Sequence, residues 1–246
     1  MSLPKSRIDV LLVARGLCDT RSQALALVMA GRVFTGNRRV EKVGSVVRSD
    51  SELFVRAGPT FVSRGGDKLA GALEDLSLDP AGAVCVDIGA STGGFTDCLL
   101  QRGASRVYAV DVGHGQLADK LRRDPRVVCR EGVNARYLVS TDFEEPIDWV
   151  VVDASFIGIE KLLGAIAQVT RSGGTLVALV KPQFQAGREE VRRGKGVIRD
   201  PEVRRATIDQ AITAVQDAGL ELLGQCDCRV AGPKGNIEYF LSARRL

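Results

Sequence analysis

The chain has 246 residues, 45% hydrophobic, 26% charged and 5% aromatic, with a net charge of +4, a composition that excludes disordered and collagen-like classes. Its longest apolar run, Ala24 to Ala30, falls far short of a bilayer span, and Val10 to Ala14 is too short for a signal-peptide core. Six cysteines without a C-x-x-C pair and a single histidine offer no zinc spacing, so no metal is expected, and one histidine rules out chemistry that needs two imidazoles. The expectation is a cytoplasmic protein without disulfides, most simply a monomer.

Charge is unevenly spread. Residues 1–65 hold eleven Lys and Arg against five Asp and Glu, a net of +6, whereas residues 66–246 stand at −2. A small basic module ahead of a near-neutral body points to a polyanion as the partner of the first part. Ile8, Leu11 and Leu12 have helical spacing, closed by Gly16. Thr20 is placed to cap a second helix, with Leu25, Val28 and Met29 as its apolar face and Gly31 as its stop. β-prone pieces follow at Val33–Thr35, Val40, Ser45–Val47 and Leu53–Val55, separated by Gly36-Asn37 and Gly44. The order R-I-D-V-L-L-V-A-R-G-L, T-R-S-Q-A, A-G-R-V-F-T-G-N resembles the S-four RNA-binding fold over roughly residues 5–57. The resemblance implies that Arg7, Arg15, Arg21, Ser22, Gln23 and Arg32 lie on or near an RNA face, where they would position a backbone without reading sequence. Ala57-Gly58-Pro59 reads as a linker.

Beyond it, Asp67 to Leu76 reads as a helix. From Val84 onward strands are expected at Val84–Ile88, Val107–Val110, Val127–Arg130, Trp149–Val152, Leu176–Val180, Leu222–Val230 and Ile237–Ser242. Helices are expected between them near 96–102, 116–122, 159–169 and 201–218. Near-continuous apolar strands alternating with helices predict a parallel sheet covered on both faces, with ligands beyond the carboxyl ends of the strands.

The first of these strands runs into V-D-I-G-A-S-T-G-G-F-T-D, Val86 to Asp97. Gly89, Gly93 and Gly94 allow a sharp turn and close backbone approach to a ligand, with Ser91, Thr92 and Phe95 beside them. The spacing is not G-x-G-x-x-G, and no Walker lysine is present. Asp87 would repel a pyrophosphate and attract a cationic ligand. Asp111 follows the second strand, 22 residues past Gly89, where a carboxylate can accept from a ribose diol, with Val112 next to it. An adenosine ligand with a positive centre, S-adenosylmethionine, fits this set. Glu131 and Asn134 after the third strand are candidates to meet its adenine.

At this point the whole chain resembles the TlyA family, sometimes labelled hemolysin A, whose catalytic half looks like the FtsJ-type ribose methyltransferases. The matching segments are F-V-S-R-G-G-D-K-L, D-I-G-A-S-T-G-G-F-T, D-V-G-H-G-Q-L, D-P-R-V-V, V-D-A-S-F-I, V-K-P-Q-F and G-P-K-G-N-I-E-Y-F, in order from Phe61 to Phe240. One departure is His114, where an aromatic residue is expected. The resemblance implies a Lys-Asp-Lys-Glu tetrad, here Lys68, Asp153, Lys181 and Glu238, and adds Arg64 to the RNA-contacting set. Asp153 and Lys181 follow apolar strands and would be costly to bury unpaired. A ribose hydroxyl attacks poorly until its proton is accepted, and a lysine buried beside another cation can accept it. Lys181 is assigned as that base and Lys68 as the neighbouring cation, with Asp153 and Glu238 orienting the two amines.

The stretch Gln185 to Arg199 carries Arg188, Arg192, Arg193 and Lys195 among glycines and reads either as a loop that closes over RNA phosphates or as a disordered insertion. The expected architecture is thus α/β: a small α+β RNA-binding domain at 1–57, a linker at 58–62, and a Rossmann-like methyltransferase domain at 63–246. The expected activity is S-adenosylmethionine-dependent 2′-O-methylation of ribosomal RNA, on cytidine, with ribosomal RNA or ribosomal subunits as partner. Three rival readings remain open: a cytolysin, as the hemolysin label suggests, a non-catalytic RNA-binding factor, and an NAD-dependent oxidoreductase with an RNA-binding appendage.

Overall fold

The computed structural model describes residues 4–56, 58–186, 190, 192 and 194–246. The chain divides into two compact units, Met1–Thr60 and Phe61–Leu246.

The first unit contains β1 (Lys5–Arg7), α1 (Ile8–Ala14), α2 (Arg21–Met29), β2 (Val33–Thr35), β3 (Arg38–Arg39), β4 (Val46–Arg48) and β5 (Leu53–Val55). β1 pairs with β4, and β3-β2-β5 form an antiparallel sheet. Ile8, Leu11 and Leu12 of α1 meet Ala24 and Val28 of α2 over Val33, Val40 and Leu53. The inward face of α2 is therefore Ala24 and Val28, not the expected Leu25, Val28 and Met29, since Leu25 and Met29 are exposed. A capping box fixes the start of α2: Thr20 Oγ1 accepts from Gln23 N, and Gln23 Oε1 accepts from Thr20 N.

The second unit follows with α3 (Arg64–Asp75), β6 (Val84–Ile88), α4 (Gly94–Gln101), β7 (Arg106–Asp111), α5 (Asp119–Arg122), β8 (Val127–Glu131), β9 (Ile147–Val152), α6 (Leu163–Val169), β10 (Thr170–Val180), α7 (Pro182–Gln185), α8 (Pro201–Asp217), β11 (Leu220–Asp227) and β12 (Tyr239–Arg245). Its seven-stranded sheet has the order β11-β12-β10-β9-β6-β7-β8. Alternate residues of the central strands supply two cores: Val86, Ile88, Val150, Val152, Leu176 and Ala178 face α6 and α8, while Cys85, Val151, Val177 and Leu179 share a core with α3 and α4. Two apolar faces explain why these strands read as unbroken hydrophobic runs. This is the Rossmann-like α/β fold expected.

The sheet is not wholly parallel. β12 runs antiparallel to both β10 and β11. The chain from β11 to β12 carries no α-helix among the described residues, and reversing by a short loop makes an antiparallel pair, whereas a parallel neighbour needs a long crossover. A second difference is the helix expected at 116–122, which begins only at Asp119. The Glu131 carboxylate accepts from the backbone N–H groups of Gly115, Gln116 and Leu117 and holds that stretch in a turn.

Candidate active site at the carboxyl edge of the sheet

After β6 the chain moves to β7 and β8 on one side, then returns to β9 on the other. The gap where strand order reverses is the usual ligand site of such sheets. A cleft of about 530 Å³ opens there, lined by Ile88, Gly89, Ser91, Asp111, Val112, Gln116, Val133, Asn134, Asp153 and Leu162, among others. Gly89 has φ of +83°, and a Cβ on it would stand 2.9 Å from the Asp153 carbonyl oxygen, so the loop is tight because β9 passes close behind it. Asp111 accepts from Ser91 N (2.8 Å) through Oδ2 and from Gly113 N (2.7 Å) through Oδ1, which aims both oxygens and leaves each a lone pair for a further donor. Asn134 caps a short 3₁₀ turn by accepting from Arg136 N, with its amide nitrogen unused by that bond.

Several expected contacts take another form. Asp87 does not face the cleft. It is fully buried, and its Oδ2 accepts from Thr96 N and Oγ1, tying the end of β6 to the start of α4. Burial pushes its carboxyl up to about 7, and Oδ1 has no hydrogen-bond partner. Glu131 is likewise occupied: besides the three N–H groups it pairs with Arg122, and the backbone bonds, Gly115 first, hold it down at about 2. Gly93 turns with φ of +97° beneath Leu117 and Leu121, and Gly94 lets α4 approach Ser63 and Gly66 closely, so both shape the loop from below. Phe95 and Thr92 line a second cavity, of about 250 Å³, with Arg64, Lys68, Asp153 and Lys181. His114 stacks over Gly132 and is absent from the lining of all three cavities at this edge.

The four tetrad positions form two ion pairs. Lys68, on α3, places Nζ 2.5 Å from Glu238 Oε2, with both side chains buried. Gln183 Nε2 donates to the other oxygen of Glu238 at 3.2 Å. Gly232 leaves the room that this carboxylate fills, since a Cβ there would collide with it. Lys181, just past β10, lies 2.6 Å from Asp153 Oδ1, a contact with ion-pair distance but not hydrogen-bond angles. Its Nζ donates to Ser155 Oγ at 2.9 Å and stands 5.9 Å from the Phe184 ring centre. A third cavity, of about 370 Å³, joins Ser155, Phe156, Lys181, Gln183, Phe184, Asn236 and Glu238. Lys181 borders the second and third cavities, and Asp153 the first and second.

Sequence reasoning missed Ser155, Phe156, Gln183, Phe184, Gln116 and Asn236. Five of them lie inside segments singled out for their neighbours, and Gln116 inside D-V-G-H-G-Q-L, but their types alone gave no chemical signal. Phe156 is 91% exposed with φ of +67°, and its ring meets Phe184 at 5.2 Å. Asn236 is buried, accepts from Ile198 N and donates to the Gly196 carbonyl, which pins the end of the basic stretch beside Glu238. Arg192 and Lys195 in that stretch are exposed, while Arg188 and Arg193 lie outside the described residues.

In the first unit, Arg7 and Arg21 share the buried Asp9, at 3.0 and 2.6 Å. Their hydrogen bonds hold its carboxyl well below the usual range. Arg15 donates to the carbonyls of Ser49 and Ser51, and Arg32 to that of Arg56. Ser22 is exposed. Gln23 is exposed and spends its amide oxygen on Asp19 N and Thr20 N, capping α2 locally.

Among the described residues no cluster of His, Cys, Asp and Glu could hold a metal, and no helix is long and apolar enough to cross a membrane. Comparison with known proteins adds the lineage. Residues 61–245 match the FtsJ-like methyltransferase family and residues 6–53 the S4 domain. A relative from Mycobacterium tuberculosis, 16S/23S rRNA (cytidine-2′-O)-methyltransferase TlyA, is 42% identical over 98% of this chain and 90% of its own. A solved structure from Streptococcus thermophilus carrying a hemolysin name is 41% identical, with a TM-score of 0.75, over 99% of this chain and 89% of that one. An S-adenosylmethionine-dependent methyltransferase from Mesorhizobium loti shares the fold at 17% identity, with a TM-score of 0.53, over 73% of this chain and all of that one. The chain therefore belongs to the FtsJ-like methyltransferase family, among the members that carry an S4 domain ahead of the methyltransferase unit.

Proposed function

We propose that the protein methylates the 2′-hydroxyl of cytidine in ribosomal RNA, with S-adenosylmethionine as donor. The observation that carries this reading is the Lys181–Asp153 pair beside the Lys68–Glu238 pair, both at the carboxyl edge next to the switch-point cleft. The cleft fits the donor: Asp111 presents two aimed acceptors for a ribose diol, Asn134 has an amide nitrogen to spare, and Ile88, Val133 and Leu162 offer apolar walls for an adenine. When bound, S-adenosylmethionine supplies an electrophilic methyl group on a sulfonium centre.

The protein's own part is to bind, orient and move a proton. Lys181 is the base: Asp153, Ser155 and the Phe184 face fix its Nζ at the join of two cavities, and in its neutral form Nζ accepts the proton of the incoming 2′-hydroxyl. Lys68, held by Glu238, whose other oxygen accepts from Gln183, keeps a positive charge near the oxygen as it becomes anionic. Asp153 and Glu238 balance the two cations, so neither amine is buried unpaired. Arg64, exposed at the start of α3 and lining the second cavity, and the exposed Arg192 and Lys195 serve as phosphate contacts. Arg7, Arg15, Arg21 and Arg32 serve the same purpose in the first unit.

The test uses purified ribosomal subunits lacking the modification, the full chain and isotopically labelled donor, with ribose methylation mapped by resistance to alkaline cleavage. Label at a cytidine 2′-oxygen is expected. Label on a base, or none on any ribosomal substrate while the donor binds, sinks the assignment.

A further inference from the structure

The arginines of the first unit fall into two electrostatic groups. Arg7 and Arg21 are paired with Asp9, and Arg48 with Asp50. Arg38, Arg39 and Arg56 are exposed, and among the described residues none of them has a carboxylate at ion-pair distance; Arg15 and Arg32 have none either, but their guanidiniums donate to backbone carbonyls. Of the first three, Arg39 and Arg56 border the outward face of the β3-β2-β5 sheet, whereas Arg38, the register partner of Thr35, falls on the other side of the pleat.

On that face the pleat turns Val33 and Leu53 inward to the core and their neighbours Phe34 and Phe54 outward. The two phenylalanines are register partners and stack, with ring centres 5.3 Å apart and planes within 8°. The Arg56 guanidinium sits 4.2 Å from the Phe34 ring centre, and Arg39 is Phe34's register partner on β3. Neither ring belongs to the core built on Ile8, Leu12 and Val28, so that core does not explain them. Phe34 is engaged by both Phe54 and Arg56. Phe54 stands on an edge strand, 37% exposed, and its second face meets no other ring or cation among the described residues.

We propose that Phe54 is the open end of a stacking platform for an unpaired RNA base, with Arg39 and Arg56 taking the adjoining phosphates. Flat aromatic faces bind bases of any sequence, and unpaired guanidiniums beside them suit a polyanion better than an apolar protein patch. The platform gives the first unit a contact with single-stranded RNA on its sheet, separate from the arginines around α1 and α2. It rests on the reading that the protein acts on RNA, and goes beyond it in naming single-stranded RNA and the residue that receives it.

The test places a reporter at the platform of the full-length protein. Phe54→Trp keeps a flat ring, and the chain's one native tryptophan, Trp149, is subtracted with the wild-type spectrum. An unstructured twelve-nucleotide oligoribonucleotide should quench emission from the introduced indole, while a duplex of equal length should not. In parallel, labelled-oligonucleotide anisotropy should show wild-type affinity for Phe54→Trp and a loss of roughly fivefold or more for Phe54→Leu. If wild type binds the oligonucleotide but emission from that indole is unmoved, or Phe54→Leu binds as well as wild type, the platform is wrong and the RNA reading stands. If wild type binds no RNA at any salt concentration, both fail.

Discussion

Two single side chains, Lys181 of the proposed tetrad and the buried Asp87, can be tested separately. Lys181→Ala removes the proposed base and leaves the glycine loop and Asp111 in place. Turnover in a single-turnover methyl-transfer assay should fall by about 10²–10⁴, with donor affinity little changed. Lys181→Arg should not rescue it, because a guanidinium stays protonated. Near-normal turnover in either variant would put the base elsewhere. Asp87 makes a prediction about pH. Folding moves its carboxyl from near 4 up to about 7 by burial, so the folded chain holds a proton there that the unfolded chain releases. The associated stability is complete below pH about 4 and is lost as pH rises through about 7. Asp87→Asn keeps an acceptor for Thr96 and removes the ionisation. Its melting temperature relative to wild type should therefore improve from pH 5 to pH 8, and a constant difference across that range would show that the carboxyl does not titrate there. These residues also mark where reading the sequence reached its limit. Asp87, Glu131 and Gln23 have types suited to ligands, yet each is consumed by backbone N–H groups or a hydroxyl close by in the fold. Lys68, Asp153, Lys181 and Glu238 were legible because whole motifs surround them, but which carboxylate pairs with which amine depends on partners 170 and 28 residues apart.

At the scale of elements, apolar runs located every strand of the large sheet to within a few residues, since strands buried on both faces leave a continuous trace. The exception is the start of β10, six residues earlier than expected, in a polar stretch that includes Gly173 and Gly174. The direction of β12 was not legible either, because a strand reads the same whichever way it is laid. The most vulnerable joint between elements is the turn from β6 toward α4. Gly89→Ala would force a side chain onto a positive φ and into the backbone that leaves β9 at Asp153 and Ala154. The cost should be about 1–3 kcal/mol, read as a lowered melting temperature, with donor affinity lost more severely than stability. A variant that binds donor normally by calorimetry would mean that the contact between β6 and β9 relaxes without disturbing the cleft.

For the whole molecule, the two units have separate cores and opposite charge balance. Residues 61–246 alone should fold and bind donor as the full chain does. Their RNA affinity should be weaker, and the slope of log affinity against log salt should shrink by about 0.7–0.9 for each phosphate contact removed. Unchanged salt dependence after the truncation would assign the polyanion contacts to the second unit alone.

β12 follows every other strand of its sheet in sequence, yet it lies between β10 and β11 in space. Until it is synthesised, β11 has no neighbour, β10 has an open edge, and Lys68 waits for a carboxylate 170 residues downstream. The sheet therefore cannot close before β12 has been made. The β10 edge and the Lys68 amine both go without these partners until then, and folding of the second unit is set by its slowest, most distant pairing.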